Sequence, residues 1–187
     1  MATPPTFTAG SVLTAAQMNG VGSWLVKSQT IGTGVSTVTV TGAFTSDYYA
    51  YRVVISNVTM SSTPYTTSMY LKMHDGTNPV STNYNFGISR VDLASGTVSG
   101  TKAQLGTLGI AIGQGTGSLF GTVFDVINPN VAGYTLFHNL GLANDSVGYG
   151  GSGSGMHQAA TAYTAFQILP TTGTLTGGTI SIYGYRS

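Results

Sequence analysis

Neither cysteine nor glutamate occurs among the 187 residues. Without cysteine there can be no disulfide framework, no thiolate metal centre and no cysteine nucleophile. A chain this long removes roughly 70% of its unfolded surface from water, so it can hold a core without such staples. Without glutamate the acids are Asp47, Asp75, Asp92, Asp125 and Asp145, set against Lys27, Arg52, Lys72, Arg90, Lys102 and Arg186. Charged residues make up 6% of the chain, against about 25% in an ordinary soluble domain. A surface so poor in charge does little to keep copies apart, and suits a protein covered by partners or by copies of itself. The six cations are scattered and form no stripe, which excludes a nucleic-acid footprint. No basic residue precedes Lys27, so the charged region of a secretory signal is missing. No apolar run approaches the ~20 residues needed to cross a bilayer, and membrane insertion is not expected.

Apolar residues are nevertheless 41% of the chain and fall in periodic runs, enough to offset the ordering entropy that leaves Gly/Ser/Thr-rich chains disordered. Residues 1–8, with Pro4-Pro5, read as an extended arm. Over residues 11–26, Leu13, Gln17, Val21 and Trp24-Leu25 recur at three-to-four spacing, with Ser11 or Thr14 to cap the start. This spacing predicts one short helix, weakened at Gly20 and Gly22 by about 1 kcal/mol each relative to Ala. A helix this short is marginal alone, so Leu13, Met18, Val21, Trp24 and Leu25 need a surface to pack on.

Beyond Lys27 the period becomes two. Val38, Val40 and Phe44 alternate with threonines. Residues 48–58 are apolar on both faces near Val53-Val54-Ile55 and predict a central strand. Further strands are expected around residues 69–73, 84–90, 105–112, 119–127, 134–140, 162–169 and 179–185. Turn signals such as Asp75-Gly76, Ser95-Gly96, Asn128-Pro129 and Gly177-Gly178 separate them. Residues 148–155, GYGGSGSG, read as a flexible loop or hairpin tip. The expected fold is all-β: an antiparallel, jelly-roll-like β-sandwich over residues 31–187, preceded by an arm and short helix over residues 1–30.

Chemistry-bearing patterns are sparse. Asp75 lies in a His-Asp-Gly turn, and Asp125 alternates outward in LFGTVFDVI, where a pair with a strand arginine is the natural fate. A catalytic carboxylate dyad is not expected. His74, His138 and His157 share no metal-ligand spacing. Gly148, Gly150 and Gly153 match a dinucleotide fingerprint in form only, since no acid follows Asp145. No cofactor, metal or enzymatic activity is expected. Of the 11 tyrosines, Tyr65, Tyr84 and Tyr149 stand in or beside expected loops, where aromatic faces could stack on sugars. They are the candidate receptor or glycan contacts.

Three stretches carry a resemblance. FTAGSVLTAAQMN (residues 7–19) is similar to the N-terminal segment of small bacteriophage virion proteins, often tail-fibre or minor tail components. IGTGVSTVTVTGAFTSDYYAYRVVISNV (residues 31–58) resembles the start of their β-domain, and GGTISIYGYRS (residues 177–187) their closing strand. The resemblance covers about a third of the chain, in the expected order. It implies a homo-oligomer, commonly a trimer, made in the host cytoplasm and built into the virion. Its N-terminus would dock to other virion proteins through Phe7, Leu13, Met18, Val21, Trp24 and Leu25. Its β-domain would project toward the host surface, where glycan is a candidate partner. A capsid decoration protein or head fibre is the alternative with the same anatomy.

Overall fold

A computed structural model describes residues 10, 12, 22–61, 68–114, 119–143 and 149–185. Among these the protein is all-β, with antiparallel pairing throughout. The strands are β1 (Ser23–Thr30), β2 (Val38–Val40), β3 (Ala50–Met60), β4 (Ser68–His74), β5 (Tyr84–Asp92), β6 (Val98–Gly106) and β7 (Ile110–Gln114). They continue as β8 (Leu119–Ile127), β9 (Thr135–Ala143), β10 (Tyr149–His157), β11 (Ala165–Pro170), β12 (Leu175–Thr176) and β13 (Thr179–Tyr185). The larger sheet runs β1-β13-β3-β8-β9-β10-β5-β6, with β12 also paired to β3, and the smaller runs β2-β11-β4-β7.

One apolar core joins the two sheets. Val53, Ile55, Phe124, Val126, Phe137, Ile180 and Ile182 come from the larger sheet, and Val40, Met69, Leu71, Met73, Ile112, Phe166 and Ile168 from the smaller. The alternating burial of β4, β11 and β13 follows from the side-chain period of two. Tyr51 is fully buried, and its hydroxyl both accepts from the Thr45 N–H and donates to the Thr45 carbonyl at 2.7 Å, tying the loop before β3 to the core.

The expected helix is not present where it can be checked. Residues 23–26 belong to β1, which pairs along β13 from Ser23↔Tyr185 to Thr30↔Thr179. Gly22, at φ 99°, takes a left-handed conformation that breaks a helix, and Val26 packs against the core. The sheet thus begins at Ser23, ahead of the boundary expected at Ile31. The rest of the expected helix, isolated positions 12 and 22 apart, lies outside the described residues.

The GYGGSGSG stretch is a second correction. From Tyr149 onward it is strand β10, paired on one side with β9 and on the other with β5 over its whole length. Glycine weakens a strand unless backbones must come close, and here they must. A Cβ at Gly151 would lie 2.7 Å from the Ser89 carbonyl oxygen. One at Gly155 would lie 2.7 Å from that of Asn85 and 2.8 Å from Ile110 Cδ1. The single strand expected over residues 105–112 is split between β6 and β7 by Gly109 at φ 107°, where a Cβ would meet the Leu71 carbonyl oxygen at 2.3 Å.

Candidate functional site

Cross-strand register aligns one row of residues over the outer face of the larger sheet. In order across the strands it reads Leu25, Tyr183, Arg52, Asp125, His138, Ser154, Gly87 and Lys102. The row brings together charged and polar groups from six of the sheet's strands, although in sequence they are dispersed from Arg52 to Tyr183. At its centre Arg52 Nε and Nη2 donate to both carboxylate oxygens of Asp125 at 2.9 Å each. This fork-to-fork geometry raises the Arg52 pKa further and engages both oxygens of Asp125.

The next row is softer: Ser28, Ser181, Val54, Val123, Leu140, Ser152, Ser89 and Gly100. Leu140 is 64% exposed, and, four residues along β9, Leu136 and its cross-strand partner Ile127 are exposed too. Between β9 and β6 the two middle strands, β10 and β5, present only Ser152, Ser154, Gly87 and Ser89 to this part of the face. Their lack of side-chain height leaves a trough of about 750 Å³, with His138 on one bank and Lys102 on the other. It continues into a second hollow of about 680 Å³ that shares Gly87, Lys102, His138 and Ser154 and adds Asn85, Gln104, Met156 and Gln158.

The remaining titratable groups serve the fold. Asp75 accepts the N–H groups of Asn78 and Thr77 at 2.7 Å, and those bonds hold its carboxyl below the usual range. Asp92 does the same for Ser95 and Ala94 in the β5–β6 turn. His157, at the end of β10, is fully buried against Tyr84 and Tyr163, with ring centroids 4.6 and 5.4 Å away. Neither of its ring nitrogens has a hydrogen-bond partner. Burial lowers its pKa; the Thr82 backbone works the other way, without meeting hydrogen-bond geometry, and is outweighed. Among the described residues no three histidine or acidic side chains gather as a metal site.

Of the expected receptor contacts, Tyr84 is corrected. It is fully buried, its hydroxyl accepting from the Met73 N–H at 2.8 Å and donating to the Val80 carbonyl at 3.0 Å, and burial drives its pKa up. The residue starts a strand, and its ring points into the core instead of toward a ligand. Tyr149 begins β10, and Tyr65 lies outside the described residues. Of the expected docking residues, Phe7, Leu13, Met18 and Val21 lie outside them too. Trp24 is half-buried in β1 opposite Gly184, its indole Nε1 shielded from solvent, so it belongs to the body's own sheet. Leu25, next to it, is 57% exposed on the outer face. In the sequence His138 is weighed only as a metal ligand and Lys102 only as one of six scattered cations. The alternation of Leu136, His138 and Leu140 marks an outward face, but nothing local to either residue announces a partner three strands away.

No family model and no curated protein matches the chain. Among solved structures, alginate lyase AlgAT5 from polysaccharide lyase family 7 is similar at 14% identity and a TM-score of 0.20, over 68% of this chain and 59% of that one. The infectious bursal disease virus Gx strain structure is similar at 11% identity and a TM-score of 0.17, over 86% of this chain and 40% of that one. The chain therefore spans less than two thirds of either protein, and likenesses this slight assign neither an activity nor a fold family.

Proposed function

We propose that this chain is a bacteriophage virion structural protein of tail-fibre or adhesin type, with a jelly-roll-like body. Segments before Ser23 dock it to the particle, and the β-domain projects as an oligomer, commonly a trimer, toward the host surface. The observation that carries this reading is the set of three resembling stretches. Two of them, 146 positions apart at their first residues, meet in space: β13, from the last stretch, is hydrogen-bonded to β3, most of which comes from the second.

The chemistry of the surface supports the same reading. Polar character comes from Ser, Thr and Asn, charge is sparse, and Leu140, Leu25 and Tyr134 are more than half exposed. Among the described residues strand β1 forms a sheet edge, a backbone to which a partner could add a strand. Placement on the head, as a decoration protein or head fibre with the same anatomy, is the second reading.

Labelled antibody against the β-domain, imaged on intact particles of the phage that encodes it, tests the proposal. Label at the tail supports the adhesin reading and label over the head supports decoration. Purified particles devoid of the protein would overturn both.

A further inference from the structure

We propose that the trough on the outer face of the larger sheet binds a carboxylated polysaccharide, one chain lying along β5 and β10 between Lys102 and His138. The banks belong to β6 and β9, three inter-strand spacings or about 14 Å apart at the backbone. Lengthwise, the two joined hollows run from Ser89 to Asn85 along β5, about 14 Å of strand, which is room for an oligosaccharide and more than one ring needs.

Charge selects an anion. Lys102 and His138 line the trough and no carboxylate does. The nearest acid on the face, Asp125, is consumed by Arg52. A second copy stacked face to face would bring one acid of the same row, Asp125, already paired with its own Arg52, and would leave Lys102 without an anion from that face. Hydrogen-bonding capacity selects a sugar over a phosphate polymer. Ser89, Ser152 and Ser154 have hydroxyls without partners among the described residues, and the second hollow adds the Gln104 amide. A polyphosphate backbone is met by clustered cations, and here there are two facing banks. The imidazole donates an N–H in either protonation state. Ile127, Leu136 and Met156 give the apolar C–H faces of sugar rings a surface to cover.

This inference deepens the adhesin reading and rests on it for its biological setting, but its test does not. The purified full-length chain is titrated calorimetrically with oligogalacturonate, with a neutral oligoglucan of the same length, and with a short polyphosphate. Binding to oligogalacturonate should exceed binding to either control at least tenfold. Lys102→Gln should lower it at least tenfold, and so should Gly87→Leu, which fills the trough at a position where an added Cβ meets nothing within 4 Å. Both variants should keep the wild-type melting temperature; if one does not fold, the other decides. No binding at millimolar oligogalacturonate, equal binding of either control, or undiminished affinity in the folded variants would each overturn the proposal. So would a stable oligomer in which amide protection covers β5 and β10. Antibody labelling of particles can succeed while this titration fails, so the two failures are separable.

Discussion

His157 ends β10 as a fully buried imidazole with two unpartnered nitrogens, packed on the rings of Tyr84 and Tyr163. Burial disfavours its cation and no charged neighbour contributes to its shift, so its folded pKa lies below the ordinary value near 6.5. The unfolded chain therefore binds the proton more readily. Stability attributable to this residue is full above pH 6.5 and falls as the pH drops toward the folded pKa. The slope is at most about 1.4 kcal/mol per pH unit. Between pH 7.5 and 5.5, integration with an unfolded pKa near 6.5 gives a loss of at most about 1.4 kcal/mol. His157→Phe keeps a ring between the two tyrosines and removes both unsatisfied nitrogens. We expect it to be neutral or stabilising at pH 7.5, because an unsatisfied buried polar group costs about 1–3 kcal/mol. Its advantage over wild type should widen as the pH falls. Urea unfolding followed by circular dichroism at pH 7.5, 6.5 and 5.5 measures this directly, and subtracting the variant cancels the titration of every other group. A constant difference across the three pH values, or a variant several kcal/mol less stable throughout, would refute the reasoning by showing that the ring is hydrated or partnered.

Further outcomes test the packing. Gly155→Val places atoms against the Asn85 carbonyl and Ile110 Cδ1, and should lower the urea midpoint by the equivalent of about 1–3 kcal/mol or more. Gly87→Ala, two strand faces away in open space, should stay within about 0.5 kcal/mol of wild type. Arg52→Ala breaks a pair whose side chains are 48% and 26% exposed, and should cost under about 1 kcal/mol, less in high salt. A loss of 3 kcal/mol would mean that the outer face is closed to water.

How much of this was legible in the sequence depended on whether one strand carried its own pattern. β4 and β13 alternate in their side chains and β3 carries a run apolar on both faces, and each lies within a residue or two of its expected position. The turns at Gly76, Gly96 and Asn128 all carry the left-handed conformation that their sequence signals imply. β10 was hidden because its inward face is glycine, and the reason for those glycines, the carbonyls of β5 and the tip of Ile110, lies in other strands. β1 was misread because Val21, Trp24 and Leu25 mimic a helical spacing. Its strand character comes from pairing with β13, more than 150 residues onward. The trough was invisible for the same cause. Lys102, Gly87, Ser154 and His138 acquire a common purpose only through three registers that no local window contains.

Attachment through the segments ahead of the sheet is the claim on which the functional account stands. Because β1 starts at Ser23, the informative deletion removes residues 1–22 and leaves the sheet intact. The measurement is the amount of this truncated chain that cosediments with particles assembled in its presence, alongside its circular dichroism and urea midpoint. A folded β-domain of near wild-type stability that stays in the supernatant is the expected result. Truncated chain that joins particles at the full-length level would contradict it.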